Sequence, residues 1–345
     1  EEGDWTGPGA ARMVLRHPEV QIAVLETARG GLMRRGLVLP QVDAAVVTNI
    51  SADHLGDWGL FDVDSLADAK LTVAKGLKPH APLIVNRDCA VLRAGVERLL
   101  ALRSDIPIRW FSAYATDQPD LTGWCQDDAL WLRGQDGTAR RLMGAADAPL
   151  TLGGAAVHNI ENALAAAMAA QAAGIPDAAI VEGLSGLRAD DAHSGGRSIL
   201  YQLNGSGILF DFAHNPGGIR MMAKLAERWT PGRRFLVMGQ AGDRGPALIR
   251  ELAESAVSIG LDGVVVKELP GHSYDRKPED IVQDLIDCLV HAGQNPDSIY
   301  SVANEVAAAH KAIDLAAPGD LVLLIVHEDR AGVMAALHEL GATLG

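Results

Sequence analysis

Five short, almost wholly apolar runs punctuate the second half of the chain: SILYQL (198–203), GILFDF (207–212), RFLVMG (234–239), DGVVVK (262–267) and LVLLIV (321–326). Stretches of helical periodicity at 217–228, 245–258, 278–291 and 303–316 separate them. A strand without a polar face must be covered on both sides, and the intervening helices supply the cover. Strands and helices alternating at this spacing therefore predict a parallel, doubly wound α/β sheet. The first half repeats the pattern less regularly. IAVLE (22–26), AAVVTNI (44–50) and PLIVN (82–86) read as buried strands, and VDSLADAKLTVAKGL (63–77) as an amphipathic helix ending near Gly76. Between Trp110 and Pro149 short alternations such as ALWLRG and the turns QDDA and GQDG predict a small antiparallel insertion. HNIENALAAAMAAQAAG (158–174) reads as a helix capped by Asn159 and ended by Gly174.

Length and charge narrow the function. At 345 residues there is room for two domains, and at 48% hydrophobic residues there is apolar material for two cores. A formal net charge of −14 argues against a nucleic-acid partner, which needs clustered Lys and Arg. No apolar run approaches the roughly 20 residues that span a bilayer, so no membrane partner is expected. Three scattered cysteines, Cys89, Cys125 and Cys288, form neither a CxxC pair nor a disulfide framework, which points to a reducing, cytoplasmic setting. The chain opens EEGDWTGPGAAR without a methionine, consistent with processing or with a start further upstream.

Ligands of open α/β sheets sit beyond the carboxyl ends of the strands. Four polar clusters fall there: Glu26 in VLETARGG, Asn49 with SADHLG, DFAHNPGG (211–218) and GQAGDR (239–244). Each is weak alone. A strand-end Glu is often a helix cap, a lone His such as His54 is more often structural, and Lys70 by itself would be a solvated helix lysine. Asn159 and Asn162, three apart, share one helix face.

Taken in order, GDWTGPGAARMVL, AVLETARGGLMRRGL, VVTNISADHLG…AK, TLGGAAVHNIENALAAA, DFAHNPGG and GQAGDR resemble the Mur ligase superfamily. The likeness is closest to the Mur-ligase-like module of the cyanophycin synthetases and runs to about Val326. ETARGG with TNISADHLG is its specific part; DFAHNP and HNIENALAAA are shared more broadly. The resemblance implies a central ATPase domain (a parallel sheet with helices and a small antiparallel insertion) over 1–196, then a Rossmann-like domain over 197–345. A hinge at 190–197 would let the two close on ATP in the cleft. It also implies an ADP-forming ligase. ATP phosphorylates a carboxylate, an amine attacks the acyl phosphate, and ADP and phosphate leave, with Mg²⁺ bridging the charged oxygens. The partners would be a small-molecule or peptide carboxylate and an amino acid; self-association is left open.

By the same resemblance Glu26 and His54 ligate magnesium, and Lys70 joins them as a carbamate, since a bare ammonium would be repelled. Asn49 lies near the phosphates, Asn162 beside the adenine, and Arg197 on the phosphates. Asp211 holds the ribose or a group near the phosphates, while His214 and Asn215 approach the γ-phosphate. His54, Lys70, Arg197 and His214 would thus carry the chemistry. Gly239, Gly242 and Arg244 would form a loop near the substrate. KELPGHSYDRKPEDI (267–281) would line the amino-substrate side.

One departure stands out. The superfamily cradles ATP phosphates in a GxxGKT/S-type loop, and no such string occurs here. Either a segment preceding Glu1 supplies it, the favoured expectation, or the protein is a non-catalytic or regulatory nucleotide binder. Peptidoglycan-type and folylpolyglutamate-type ligases are the other relatives to weigh. A dinucleotide-binding oxidoreductase leaves Glu26, His54 and Lys70 unexplained, and no GxGxxG follows a strand.

Overall fold

The computed structural model describes residues 8–37, 39, 41–51, 56–114, 117–134, 136–187, 198–227 and 232–344. Two compact units make up the chain, Glu1–Gly186 and Leu187–Gly345. The segment 190–197, expected as a hinge and carrying Arg197, lies outside the described residues, and so does His54.

The first unit is a six-stranded sheet in the order β1 to β6. β1 (Ala45–Val47), β2 (Leu83–Asn86), β3 (Ile108–Ser112) and β4 (Leu121–Gln126) are parallel. β5 (Ala129–Arg133) and β6 (Ala139–Gly144) return antiparallel. The predicted antiparallel insertion is present as β4 to β6, built onto the edge of the parallel sheet, while Trp110 still belongs to parallel β3. Period-two alternation divides the core. Leu83 and Val85 pack with Leu66, Leu71, Leu92 and Val96 of helices α3 (Val63–Leu71) and α4 (Ala90–Leu102). Ile84 and Phe111 face the other way, onto Ile160, Leu164 and Met168 of α5 (Val157–Ala172). α5 approaches so closely that a Cβ on Gly123 would stand 2.6 Å from Met168 Sδ.

IAVLE is not a strand. Residues 22–26 are irregular, and Val24 is 94% exposed. A run of apolar residues becomes a strand only where a neighbour offers ladder partners, and among the described residues β1 pairs with β2 alone. Two helices flank the segment, α1 (Pro8–Arg16) and α2 (Arg29–Arg35). α3 begins at Asp62, whose Oδ1 accepts the Ser65 N–H at 2.7 Å. That bond draws the Asp62 carboxyl below its usual value. The helix tightens into a 3-10 turn over Thr72–Gly76, so the predicted single helix is two pieces. α5 starts at Ala156 without a side-chain cap; Asn159 instead lies in its first turn. Gly174, at φ +79, ends the helical segment as expected. α6 (Asp177–Gly186) closes the unit.

The second unit is a seven-stranded sheet, ordered β11-β10-β9-β12-β8-β7-β13. β8 (Ser206–Asp211), β9 (Arg234–Met238), β10 (Gly263–Lys267), β11 (Ile299–Val302) and β12 (Leu321–Ile325) are parallel. The first run, SILYQL, breaks the expected pattern. It forms β7 (Ile199–Leu203), antiparallel to β8, and β13 (Thr343–Leu344) adds to its far edge. The turn is Asn204-Gly205, both at positive φ (50° and 81°), the backbone that a two-residue hairpin matching strand twist requires. Phe210, Val237, Val265 and Val322 pack on α10 (Glu305–Leu315) and α11 (Arg330–Glu339). Leu209, Leu236, Val264 and Leu323 alternate with them and are equally buried. α7 (Pro216–Glu227), α8 (Pro246–Val257) and α9 (Pro278–His291) pack in sequence, α9 against β10. Among the described residues no helix is long and apolar enough to cross a membrane.

Two half-buried imidazoles make stability depend on pH. Burial lowers His158 at the start of α5 to about 4. Burial, then the nearby Lys267 charge, lowers His327 after β12 to about 3. Both folded values lie below the ordinary 6.5, so on acidification the unfolded chain takes up protons first. Stability is fully present above that value and drains away as pH falls toward 4 and 3. The loss is about 2 kcal/mol per histidine at pH 5. Thermal unfolding should show a clear drop between pH 7 and pH 5, with a shallower slope in His327→Phe; equal slopes would remove His327 from the account. Gly205→Ala places a Cβ 3.2 Å from Pro318 Cβ at a left-handed position. It should cost about 1 kcal/mol in denaturant unfolding.

Candidate functional site

In the first unit the carboxyl end of β1 opens to solvent. Thr48 and Asn49 are exposed, while Ile50 turns back into the core and accepts a weak bond from Cys89 Sγ at 3.7 Å. Asn49 is thus held out at a strand end by a buried neighbour. The adjoining end of β2 is closed by structural bonds. Asn86 Oδ1 accepts the Asp88 N–H at 2.8 Å, and Asp88 takes Ser112 Oγ at 2.6 Å and the Ala113 N–H at 2.7 Å.

Glu26 is exposed in the irregular segment just before α2. Lys70 is half-buried in the last turn of α3, and α2 packs against α3. The helix that follows Glu26 and the helix that bears Lys70 are thus neighbours. Among the described residues, no three of His, Cys, Asp or Glu gather as a metal centre would require. The described part of the expected magnesium set is one carboxylate and one amine. It suits a hard, oxygen-seeking cation only with the amine converted to a carbamate.

Arg98 on α4 orients Lys70's helix, bonding Asp64 at 3.1 Å and Asp68 at 2.9 Å. Exposed pairs of this kind add little stability. On α5, Asn162 is exposed and its Nδ2 donates to Asn159 Oδ1 at 3.3 Å. Asn159 Nδ2 in turn donates to the Leu150 carbonyl at 2.7 Å. The shared face read from their spacing is real. Asn159, however, is a brace for Asn162 rather than the predicted cap.

In the second unit the carboxyl ends of β8, β9, β10 and β12 are tied into one polar lattice. Asp211, last residue of β8, is 4% exposed, and its Oδ2 accepts Ser198 N–H at 2.8 Å and Ser198 Oγ at 3.2 Å. It fixes the residue next to Arg197. Asn215 caps α7: its Oδ1 accepts the Gly218 N–H at 2.9 Å. The close turn needs glycine there, because a Cβ on Gly218 would stand 3.0 Å from Ala213 Cβ. His214 Nδ1 lies 3.4 Å from the Phe212 carbonyl and its Nε2 3.5 Å from Asn215 Nδ2. One tautomer satisfies both contacts, with the proton on Nδ1 and Nε2 accepting.

Three residues are central to this edge: Lys267, the first residue of KELPGHSYDRKPEDI, with Glu305 and His327, which no sequence motif singled out. Lys267 ends β10, is 1% exposed, and bonds Glu305 and, at 2.6 Å, the Ile325 carbonyl. Burial lowers its ammonium to about 8 against the pull of Glu305. Burial alone would raise the Glu305 carboxyl, but the Lys267 charge and bonds from Lys267, His327 and Asp329 hold it below its usual value. A lysine ending an otherwise apolar run, DGVVVK, was the available signal. Gly239 permits this packing, since a Cβ there would meet Lys267 Cγ at 3.0 Å. Gly242 donates to the His272 carbonyl at 2.8 Å, and His272 Nδ1 meets Glu328 Oε1 at 2.7 Å. The predicted substrate loop 239–244 is thereby joined to KELPGHSYDRKPEDI.

Comparison with known proteins follows the same division. A Mur ligase middle-domain model matches residues 9–170, and a Mur ligase glutamate-ligase-domain model matches 196–325. Cyanophycin synthetase of Synechocystis sp. is 32% identical over 94% of this chain and 37% of its own length. That of Trichormus variabilis is 33% identical over 94% and 36%. The chain thus spans a little over a third of the curated relatives it matches. Among solved structures, MurF from Acinetobacter baumannii superposes with a TM-score of 0.66 at 19% identity, covering 98% of this chain and 69% of that one. E. coli FolC in complex with DHPP and ADP gives 0.60 at 20% identity, covering 87% and 61%. These two likenesses speak to fold. The two family models in sequence, on a chain whose two units each present polar strand ends, show that this protein belongs to the Mur ligase family.

Proposed function

We propose that the chain is the Mur-ligase part of an ATP-dependent, ADP-forming amide ligase that joins an amino acid to a carboxylate, in the manner of the cyanophycin synthetases. The observation that carries the reading is the pairing of 32–33% identity to those enzymes across 94% of this chain with the polar strand ends of both units. In this reading a carboxylate oxygen attacks the γ-phosphorus and the bond to the ADP oxygen breaks. The amine nitrogen then attacks the acyl carbon, phosphate leaves, and the amine proton passes to solvent or a base. Such chemistry asks a protein mainly for positioning and charge stabilisation.

Asn162, braced by Asn159, is the proposed adenine contact, and Arg197 with Asn49 the phosphate contacts. Asp211 sets the start of β7 beside Arg197 through Ser198. His214 and Asn215, at the amino end of α7, would meet the transferred phosphoryl group. Glu26, His54 and carbamylated Lys70 are the proposed magnesium ligands; bound there, magnesium would neutralise phosphate charge.

The test is ADP release by the intact protein with panels of acids and amino acids. Release should require both substrates, and hydroxylamine should intercept the activated acid as a hydroxamate. ATP binding with no turnover for any pair would favour the regulatory reading. Lys70→Ala should lower turnover about a hundredfold or more, and short carboxylic acids should restore part of it if a carbamate is the working form. Asn162→Ala should raise the KM for ATP several-fold with kcat nearly kept; a kcat loss at constant KM would move Asn162 out of the adenine site.

A further inference from the structure

The Glu305 carboxylate accepts three backbone N–H groups from the loop after β12: His327 at 2.6 Å, Glu328 at 2.9 Å and Asp329 at 2.6 Å. Lys267 grips the same carboxylate and also the Ile325 carbonyl, so one buried pair fixes both ends of the β12 exit. From that loop His327 reaches sideways. Its Nε2 lies 3.2 Å from the Ala213 carbonyl, and its ring meets Phe212 edge-on at 5.3 Å. Its Nδ1 is buried with no hydrogen-bond partner among the described residues, which assigns the ring proton to Nε2 as donor. Phe212 and Ala213 lead directly into His214 and Asn215.

We infer that Lys267, Glu305 and His327 are positioning residues: the buried pair sets the 326–329 loop, and His327 passes that setting to the Ala213–Asn215 turn. The inference rests on the ligase reading for its kinetic consequence, though not for the mechanical link. His327 gives this turn a hydrogen bond at Ala213 and a ring contact at Phe212, and the turn shifts when both are lost. Displacement of His214 and Asn215 by a fraction of an ångström acts on the transferred group more than on ATP affinity.

The experiment compares hydrogen exchange and steady-state kinetics in the intact protein. Lys267→Met with Glu305→Gln removes both charges together and so strands neither in the core. Exchange should rise at 326–329 and at 212–218, and kcat should fall about tenfold with the KM for ATP within about twofold. His327→Phe keeps the ring contact and removes the donor. It should loosen 212–218 alone with a similar loss of kcat, and His327→Gln, with an amide N–H of similar reach, should restore most of both.

The inference is overturned if the double variant loosens 326–329 and leaves 212–218 protected, or if His327→Gln behaves like His327→Phe. Should the double variant fail to fold, the two His327 variants decide alone. Should no acid and amine pair release ADP from the unaltered protein, the ligase reading falls, and exchange at 212–218 still decides the link.

Discussion

A strand buried on both faces can carry polar chemistry only at its ends. Val264, Val265 and Val266 are fully buried, as are Leu83, Ile84 and Val85, so nothing along these strands can touch water or a ligand. All polar function is pushed to the edges where strands stop and helices begin. Parallel direction then gathers the carboxyl ends of β8, β9, β10 and β12 on one side of their sheet. The connections found there include a turn capped by Asn215 at the start of α7 and the longer segment between β10 and α9.

The cost of this arrangement is seen at Lys267. An ammonium at 1% exposure is expensive unless paired and fully hydrogen-bonded. A hydrophobic pair of the same volume would in general be as stable or more so. What such a pair could not do is accept the N–H groups of His327, Glu328 and Asp329 just beyond β12. Three unsatisfied amides would each cost about 1–3 kcal/mol. The carboxylate satisfies them all, and the ammonium makes the carboxylate tolerable there. The ion pair is thus better read as a way to fix a loop than as a contribution to net stability.

The sequence disclosed architecture where its pattern was dense and misled where the pattern lacked a neighbour. The apolar runs of the second half all became strands because each found partners. SILYQL was misjudged in direction, although Asn204-Gly205 carries the hairpin signal openly. IAVLE has the composition of a strand and no ladder to join, which no reading of its own residues could reveal. Asn159 looked like a cap because Asn before an alanine-rich run commonly is one; the helix starts earlier, and its amide is used on Leu150. That Asn49, His214 and Asn215 follow the carboxyl ends of strands was legible from position alone. Lys267, Glu305 and His327 were not, because their roles come from long-range contacts, 38 residues apart for the ion pair and 114 for His327 with Ala213.

The geometry of the Asn215 turn also limits what chemistry it can perform. With one Oδ1 lone pair taken by the Gly218 N–H, Asn215 still offers Nδ2 as a donor at the start of α7. His214 Nε2 accepts in the tautomer that satisfies the local contacts, so an unprotonated His214 presents a lone pair to its surroundings. An anionic phosphoryl oxygen would be repelled by that lone pair and attracted by the start of α7. In the proposed ligase the contact to the transferred phosphoryl group therefore falls first to the Asn215 amide and the start of α7, and the steadiness of the turn that holds them matters as much as their identity.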